Sequence, residues 1–307
     1  MPRPRGTQAE SGVSSFSCRP ADTGVEWLVA FSPCRRFAGA FIFAMAAFIL
    51  ASCGAFSPAA SDLVVLDIGH YVSPGATQGT GAKSPGPVGG RSIEECRFWY
   101  QYAYYTKKII EKSGYRCMIC NRGNAPTTEP LASWARRAGV VQLNRPDTRG
   151  KGGAVHRYAS AYHPARISAG MVSADYAVSQ NAACAVFLHH NSSSSSWRKT
   201  CNGVVFHNRV HGARLGSILA QTMNHRVLNN GHMPNGGKSC TTGVRRIDGT
   251  AGAGWMNTCD DSGIPAALIE VAFLNNPGHA RWLADDKNAR RYAEAVGEGI
   301  VYFLRSR

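Results

Sequence analysis

The chain has 307 residues, 44% of them hydrophobic, and its 34 Lys and Arg outnumber its 19 Asp and Glu to give a formal net charge of +15. This surplus favours an acidic partner, such as nucleic acid, anionic lipid or an anionic cell-wall polymer. No basic stretch is interleaved with aromatic residues as in a nucleic-acid-binding protein, so nucleic acid is excluded and the wall polymer is favoured.

An apolar segment near the amino terminus predicts export. Residues 37–52 follow two arginines, carry no charge and form a shorter run than the about 20 residues of a membrane-spanning helix. Small residues lead into Cys53, so residues 1–53 are interpreted as an N-terminal extension with a lipoprotein-type signal. We expect a lipid anchor at Cys53 that holds the protein at the outer membrane, facing the periplasm; an uncleaved membrane anchor is the alternative. Residues 54–61 then form a linker, and residues 62–307 form one domain with a full core.

Seven cysteines follow the signal segment, which suits an oxidising compartment and allows up to three disulfides. Cys240 and Cys259 bracket a Gly-rich loop and are the expected pair. Cys117 and Cys120 have the spacing of a metal or redox motif, but they lie in an apolar run with no second such pair. We therefore interpret them as core residues.

The first predicted elements alternate between strand and helix. Residues 63–68 form a nearly continuous apolar run, which predicts a strand buried on both faces. Ser92 and Glu95 form a capping-box pattern, which predicts a long helix that ends before Gly114. Residues 115–120 follow as the second strand. This order predicts an α/β sheet with crossover connections.

The rest of the chain gives fewer clear signals. Residues 123–165 show no period and are left unassigned, as a possible insertion. Apolar spacing predicts helices over 168–181, 211–228 and 288–304, and strands over 185–189 and 266–273.

Four separated residues suggest a metal site at the ends of these strands. His70 and His189 each end an apolar run, Glu270 lies in a third such run, and Glu95 opens the long helix. Imidazole and carboxylate groups suit Zn²⁺, and three protein ligands leave a position for water. A single His or Glu at such a position is usually structural, but a Glu inside an apolar strand is costly unless it is paired or metal-linked.

The same residues carry a family resemblance. The segments 67–70, 187–191 and 268–276, together with Glu95, resemble in order and spacing the zinc-dependent N-acetylmuramoyl-L-alanine amidases of the amidase-3 family, over roughly residues 62–305. The resemblance implies a single α/β domain with a mixed, twisted sheet flanked by helices. It also implies a zinc ion held by the residues numbered 70, 95 and 189, with Glu270 as the catalytic residue.

Two of these assignments have neighbouring alternatives. Glu95 fits the helix length implied by the family better than Glu94, which could instead be a solvated acid in the first turn. The family pattern of His, a variable residue, then Asn or Asp selects His189 over His190. Alternation along the strand puts His190 on the other face, where it would line the mouth of the site or hydrogen-bond to the ligand residues.

Further residues are predicted around the site. Asn191, with His190 beside it, and Arg245 are candidates for contact with the substrate, and Asn191 could also support the loop of the second histidine ligand. Asn276 is expected to orient the turn after Glu270. His207 and His211 have metal-like spacing but no third ligand, so we interpret them as a solvated helix start.

The resemblance implies a zinc hydrolase that cleaves the amide bond between N-acetylmuramic acid and L-alanine in peptidoglycan. Two alternatives stay open at this point: a zinc peptidase or deacylase of the same fold, and a non-enzymatic peptidoglycan-binding lipoprotein on an amidase scaffold. The complete set of ligands and Glu270 argues against the second. The sequence identifies no activating protein partner.

Overall fold

The central sheet explains the strongest apolar runs of the sequence. In a computed structural model of the chain, the described residues are 61–70, 81–90, 92–122, 126–143, 169–192, 203–229, 233–234, 242–247 and 256–307. The signal segment, Cys53, Cys240 and most of the linker therefore lie outside the described residues. In the part of the chain that is described, no helix is both long enough and apolar enough to cross a membrane.

Seven strands form the described sheet, in the spatial order β3-β2-β1-β4-β7-β5-β6. The first five in this order are parallel to one another, whereas β5 runs antiparallel to β7 and β6 runs parallel to β5. The predicted mixed sheet of an α/β domain is confirmed. The strands are β1 (Leu63–Ile68), β2 (Arg116–Arg122), β3 (Val140–Leu143), β4 (Cys184–Leu188), β5 (Val204–His207), β6 (Gly243–Arg246) and β7 (Ala266–Glu270).

Helices cover both faces of the sheet. The helices are α1 (Glu95–Lys112), α2 (Leu131–Ala138), α3 (Ala169–Ser179), α4 (Ala213–Met223), a π-helix (Asn224–Asn229), α5 (Asn257–Asp261), α6 (Pro277–Ala284) and α7 (Asp286–Arg305). Helices α1, α4 and α7 pack over one face around the larger core cluster, and α3 and α5 pack over the other. All residues of β1 and β4 are buried, which explains why their sequences are continuously apolar.

Several elements differ from the sequence predictions. The unassigned segment 123–165 contains α2 and β3, and the predictions also missed β5, β6, α5 and α6. The predicted helix over 211–228 divides into α4 and the π-helix. The predicted capping box is wrong, because Glu94 is the N-cap residue of α1, without a side-chain cap, and Glu95 is buried instead of turning back to Ser92.

The described cysteines are core residues. Cys96, Cys117, Cys120, Cys184 and Cys259 are all buried and free. The side chains at 117 and 120 belong to the two different core clusters on opposite faces of the sheet, which confirms their interpretation as core residues. The predicted disulfide between Cys240 and Cys259 is wrong, because Cys259 is a free, buried thiol.

Candidate active site

Two neighbouring strands and one helix bring three possible ligands together. β1 and β4 are adjacent and parallel, so the residues that follow them, His70 and His189, emerge at the same edge of the sheet. Glu95 enters from the first turn of α1. Its Oε1 lies 2.9 Å from Nδ1 of His189, and its Oε2 lies 3.3 Å from Nε2 of His70. The possible ligand atoms of the three side chains all lie within 4.8 Å of one another.

Backbone amides fix the carboxylate of Glu95. The N–H of His190 donates to Oε1 over 2.9 Å, and the N–H of Ala82 donates to Oε2 over 2.6 Å. The side chain is only 1% exposed, whereas Glu94 forms an ion pair with Arg97. The structure therefore brings Glu95, and not Glu94, to the two histidines.

The charges of this cluster are strongly coupled. Burial alone would raise the pKa of Glu95, but the hydrogen bonds from His189 and His70 hold that pKa well below its usual range. Burial likewise opposes the charged form of His189, but its hydrogen bond to Glu95 raises its pKa to about 9. The cluster therefore favours a positive charge on His189 beside the buried carboxylate of Glu95.

The donor set fits a zinc ion. Two imidazole nitrogens and one carboxylate oxygen are typical zinc ligands, and ligands about 2.1 Å from a tetrahedral ion lie about 3.4 Å apart. The two distances from Glu95 to the histidines, 2.9 and 3.3 Å, are close to this spacing. His70 is 37% exposed, so the cluster opens to solvent on its side.

A second carboxyl group lies on the next strand. β7 pairs with β4 so that Ile269 is opposite Leu188, which puts Glu270 beside His189 at the same edge. Burial raises the pKa of Glu270 to about 7, with the charge of Glu95 adding to the rise and that of His189 opposing it. Its Oε2 is buried and has no hydrogen-bond partner among the described residues. This oxygen is available to a proton donor next to the metal-type cluster.

A family model described as N-acetylmuramoyl-L-alanine amidase matches residues 64–302, which is most of the chain and includes the whole site. The chain belongs to the N-acetylmuramoyl-L-alanine amidase family. It is a hydrolase of the peptidoglycan amide bond between N-acetylmuramic acid and L-alanine. No curated protein sequence matches the chain.

Solved amidase structures are similar to this chain at low sequence identity. The catalytic domain of CwlV from Bacillus (Paenibacillus) polymyxa var. colistinus is 18% identical, with a TM-score of 0.48, covering 80% of this chain and 99% of that one. The CwlD amidase from Clostridioides difficile, solved in complex with the GerS lipoprotein, is 17% identical, with a TM-score of 0.49 and coverages of 80% and 99%. Apo Ami1 from Mycobacterium abscessus is 16% identical, with a TM-score of 0.47 and coverages of 79% and 98%. We draw no functional conclusion from these likenesses.

The ring of His190 does not reach the mouth of the amidase site. It is 2% exposed and packs against Phe98 at 4.6 Å, Trp99 at 5.3 Å and Tyr292 at 5.4 Å between ring centroids. Neither ring nitrogen has a hydrogen-bond partner among the described residues, and burial lowers the pKa of the ring to about 3. The predicted substrate contact is therefore wrong, because the other face of β4 is covered by aromatic residues from α1 and α7. His190 does hydrogen-bond to a ligand residue, as the alternative prediction stated, but it does so through its backbone N–H, which donates to Glu95.

Asn191 joins the loops that follow β4 and β7. Its N–H donates to the carbonyl of Ala272 over 2.7 Å, and its own carbonyl accepts from the N–H of Leu274 over 3.0 Å. These bonds confirm that it supports the loop of His189. Its contact with substrate stays a prediction.

Arg245 lies away from the site. It is exposed on β6, which is separated from β7 by β5, and its register partners are Phe206 and then Leu268. Leu268 lies two residues before Glu270 on β7. Arg245 is therefore displaced from Glu270 toward the amino-terminal end of β7, away from the strand ends that carry the site. Its contact with the substrate stays a prediction.

The turn after Glu270 is fixed by residues from α6. Asn276 caps this helix by accepting from the N–H groups of Gly278 and His279, which confirms its predicted role in the turn. Nδ1 of His279 also accepts from the N–H of Phe273 over 3.1 Å. The sequence predictions gave His279 no role, and only its position three residues after a capping Asn could have indicated one.

Two other polar residues near the sheet differ from expectation. Asp67 is 1% exposed, accepts a hydrogen bond from the hydroxyl of Ser173 and has a pKa raised by burial to about 7. Asp67 belongs to the segment 67–70 that carries the family resemblance, but the sequence predicted no role for it. His207 is the buried last residue of β5 and not a solvated helix start.

Proposed function

We propose that this amidase works with a zinc ion held by His70, Glu95 and His189. The proposal rests on the convergence of their ligand atoms beside the unpaired carboxylate oxygen of Glu270. A zinc ion bound here lowers the pKa of a coordinated water toward about 7 and polarises the carbonyl of the amide bond that is cut.

The chain's own residues then have distinct tasks. Glu95 is held by two backbone N–H groups and needs no rearrangement to act as a ligand. The exposed side of His70 gives the substrate access to the cluster. Glu270 accepts a proton from the attacking water and returns it to the leaving amine of L-alanine, which is easiest for a group with a pKa near the working pH.

The test of this function is mass spectrometry of the soluble products after the purified protein digests peptidoglycan sacculi. We expect free stem peptides that begin at L-alanine, their loss with a zinc chelator and their recovery when zinc is added back. Peptides cut at another bond would favour the peptidase alternative, and product formation that resists chelation would contradict the zinc site. Wall binding without any product would favour the non-enzymatic alternative.

We also propose that the protein is an exported lipoprotein. The support is the apolar run over 37–52 and the small residues before Cys53, and the high positive charge suits retention on an anionic wall polymer. The expected location is the outer membrane, with the amidase domain in the periplasm. Mass spectrometry of the mature amino terminus tests this, since an intact Met1 would contradict cleavage before Cys53.

A further inference from the structure

The backbone of His70 has an unusual conformation for its residue type. Its φ is +64°, in the left-handed region that residues with a β-carbon rarely adopt, and among the described residues only Asn181 shares this property without being glycine. Gly69 before it donates its N–H to the carbonyl of Leu188, so the chain leaves β1 while still bonded to β4. A conformation of this kind persists only where the surroundings hold it.

One buried side chain holds this turn. Asn121 of β2 is 1% exposed, and its Nδ2 lies 2.7 Å from the carbonyl oxygen of Ile68 and 2.7 Å from that of His70. The backbone pairing of β1 with β2 ends one residue earlier, at Asp67 opposite Cys120. The side-chain amide of Asn121 therefore donates hydrogen bonds to the chain at and just after the end of β1, at the point where the backbone pairing of β1 with β2 ends.

The orientation of this amide is determined by its neighbours. Carbonyl oxygens only accept hydrogen bonds, so the NH₂ group must face the two carbonyls and use both of its hydrogens there. The amide oxygen then faces the hydroxyl of Tyr100, which donates to it over 2.8 Å. Gln142 of β3 donates to the same hydroxyl over 3.2 Å. Every polar atom of the Asn121 amide is satisfied, and a flipped amide would place its oxygen against the two carbonyl oxygens.

We propose that Asn121 is a positioning residue, oriented by Tyr100, that holds His70 in the left-handed conformation in which its ring faces Glu95. The inference rests on the zinc site proposed above. Without the amide, the two carbonyls lose their donor and His70 can relax to a common backbone conformation, which moves its ring away from the cluster. Groups that orient metal ligands in this way typically contribute about 10- to 100-fold to metal affinity.

The test is the zinc dissociation constant of the purified, metal-stripped protein, measured by competition with a fluorescent zinc chelator. Asn121→Ala is expected to weaken zinc binding about 10- to 100-fold. Tyr100→Phe, which removes only the hydroxyl that orients the amide, is expected to weaken it by a smaller factor. The matched control is Thr106→Val, because Thr106 on α1 also donates from a buried side chain to a backbone carbonyl, that of Ala293, over 2.7 Å.

Thermal unfolding of each variant separates positioning from stability. We expect Thr106→Val to lower the melting temperature without changing the zinc dissociation constant. The inference would be overturned by unchanged zinc affinity in Asn121→Ala, or by an equal loss of affinity in Thr106→Val. If Asn121→Ala does not fold, unchanged affinity in Tyr100→Phe would overturn it equally. Failure of the unaltered protein to bind zinc would instead contradict the zinc site itself.

Discussion

Gly81 lies directly against the carboxylate of Glu95. A β-carbon at Gly81 would clash with Oε2 of Glu95 and with Cδ2 of His70, and the glycine has a φ of +79°. The close approach lets the adjacent N–H of Ala82 donate to the same carboxylate oxygen. Any side chain at position 81 must therefore displace a proposed zinc ligand.

The first prediction concerns Gly81→Ala. We expect zinc affinity and amide hydrolysis to fall about 100-fold, since a displacement of about 1 Å in a catalytic group can have this effect. Gly90→Ala is the matched control, because Gly90 has nearly the same φ, +81°, but no atom within 4 Å of its β-carbon position. Both variants should lose about 1–2 kcal/mol in free energy of unfolding from backbone strain. Equal zinc affinities in the two variants would contradict the clash.

Glu270 is predicted to transfer protons without holding the metal. Glu270→Gln keeps the shape of the side chain but removes its basicity, so we expect the release of stem peptides to fall by about 10²–10⁴-fold. Zinc content should stay the same, because the metal-type cluster found among the described residues consists of His70, Glu95 and His189. Glu111→Gln, at a half-exposed acid on α1, is the control. Hydrolysis at the normal rate in Glu270→Gln would remove this residue from the mechanism.

Zinc affinity is predicted to depend steeply on pH. The hydrogen bond to Glu95 raises the pKa of His189 to about 9, so at pH 7 both of its ring nitrogens are protonated. One of these protons must leave before that nitrogen can bind a metal. Affinity should therefore rise by about tenfold per pH unit from 7 until pH approaches 9, and then level off. Calorimetry in buffers of different ionisation enthalpy should detect the released proton. Affinity that is independent of pH over this range would contradict the assignment.

His190→Leu tests the conclusion that the ring at 190 does not touch the substrate. The change removes two buried ring nitrogens that have no hydrogen-bond partner among the described residues, which is stabilising. It also removes the contacts of the ring with its aromatic neighbours, which is destabilising. Because the two effects oppose each other, we expect the free energy of unfolding to change by no more than about 1–2 kcal/mol. KM and zinc content should be unchanged, since the bond to Glu95 comes from the backbone N–H. His189→Leu should lose zinc. A raised KM with normal zinc content in His190→Leu would instead support the original prediction that this ring contacts the substrate.

The sequence predicted the parts of the fold in which local pattern and burial agree. β1 and β4 are buried along their whole length, so their apolar runs identified them directly. β5 and β6 have only four residues each, and β6 is exposed throughout, so neither has a pattern that distinguishes it from a loop. Their place in the sheet depends on the pairing of β5 with β7 and of β6 with β5, which local sequence does not contain.

The site was predictable in residue types but not in conformation. His70 and His189 could be identified from their positions at the ends of apolar runs, Glu270 from its place in a third run, and Glu95 from its place at the start of the first helix. The aromatic cover over His190, however, comes partly from Tyr292, which is distant in sequence. The left-handed turn that Asn121 stabilises likewise depends on contacts between strands that no sequence spacing indicates.

The exposed strand β6 has a consequence for how the protein behaves at high concentration. It lies at the end of the described sheet, and an exposed edge strand of this kind can recruit a strand from another molecule. Arg245 and Arg246 end this strand, and a second copy arriving edge to edge would bring like charges together. Positive charge on an edge strand is one of the common means by which proteins avoid such edge-to-edge association.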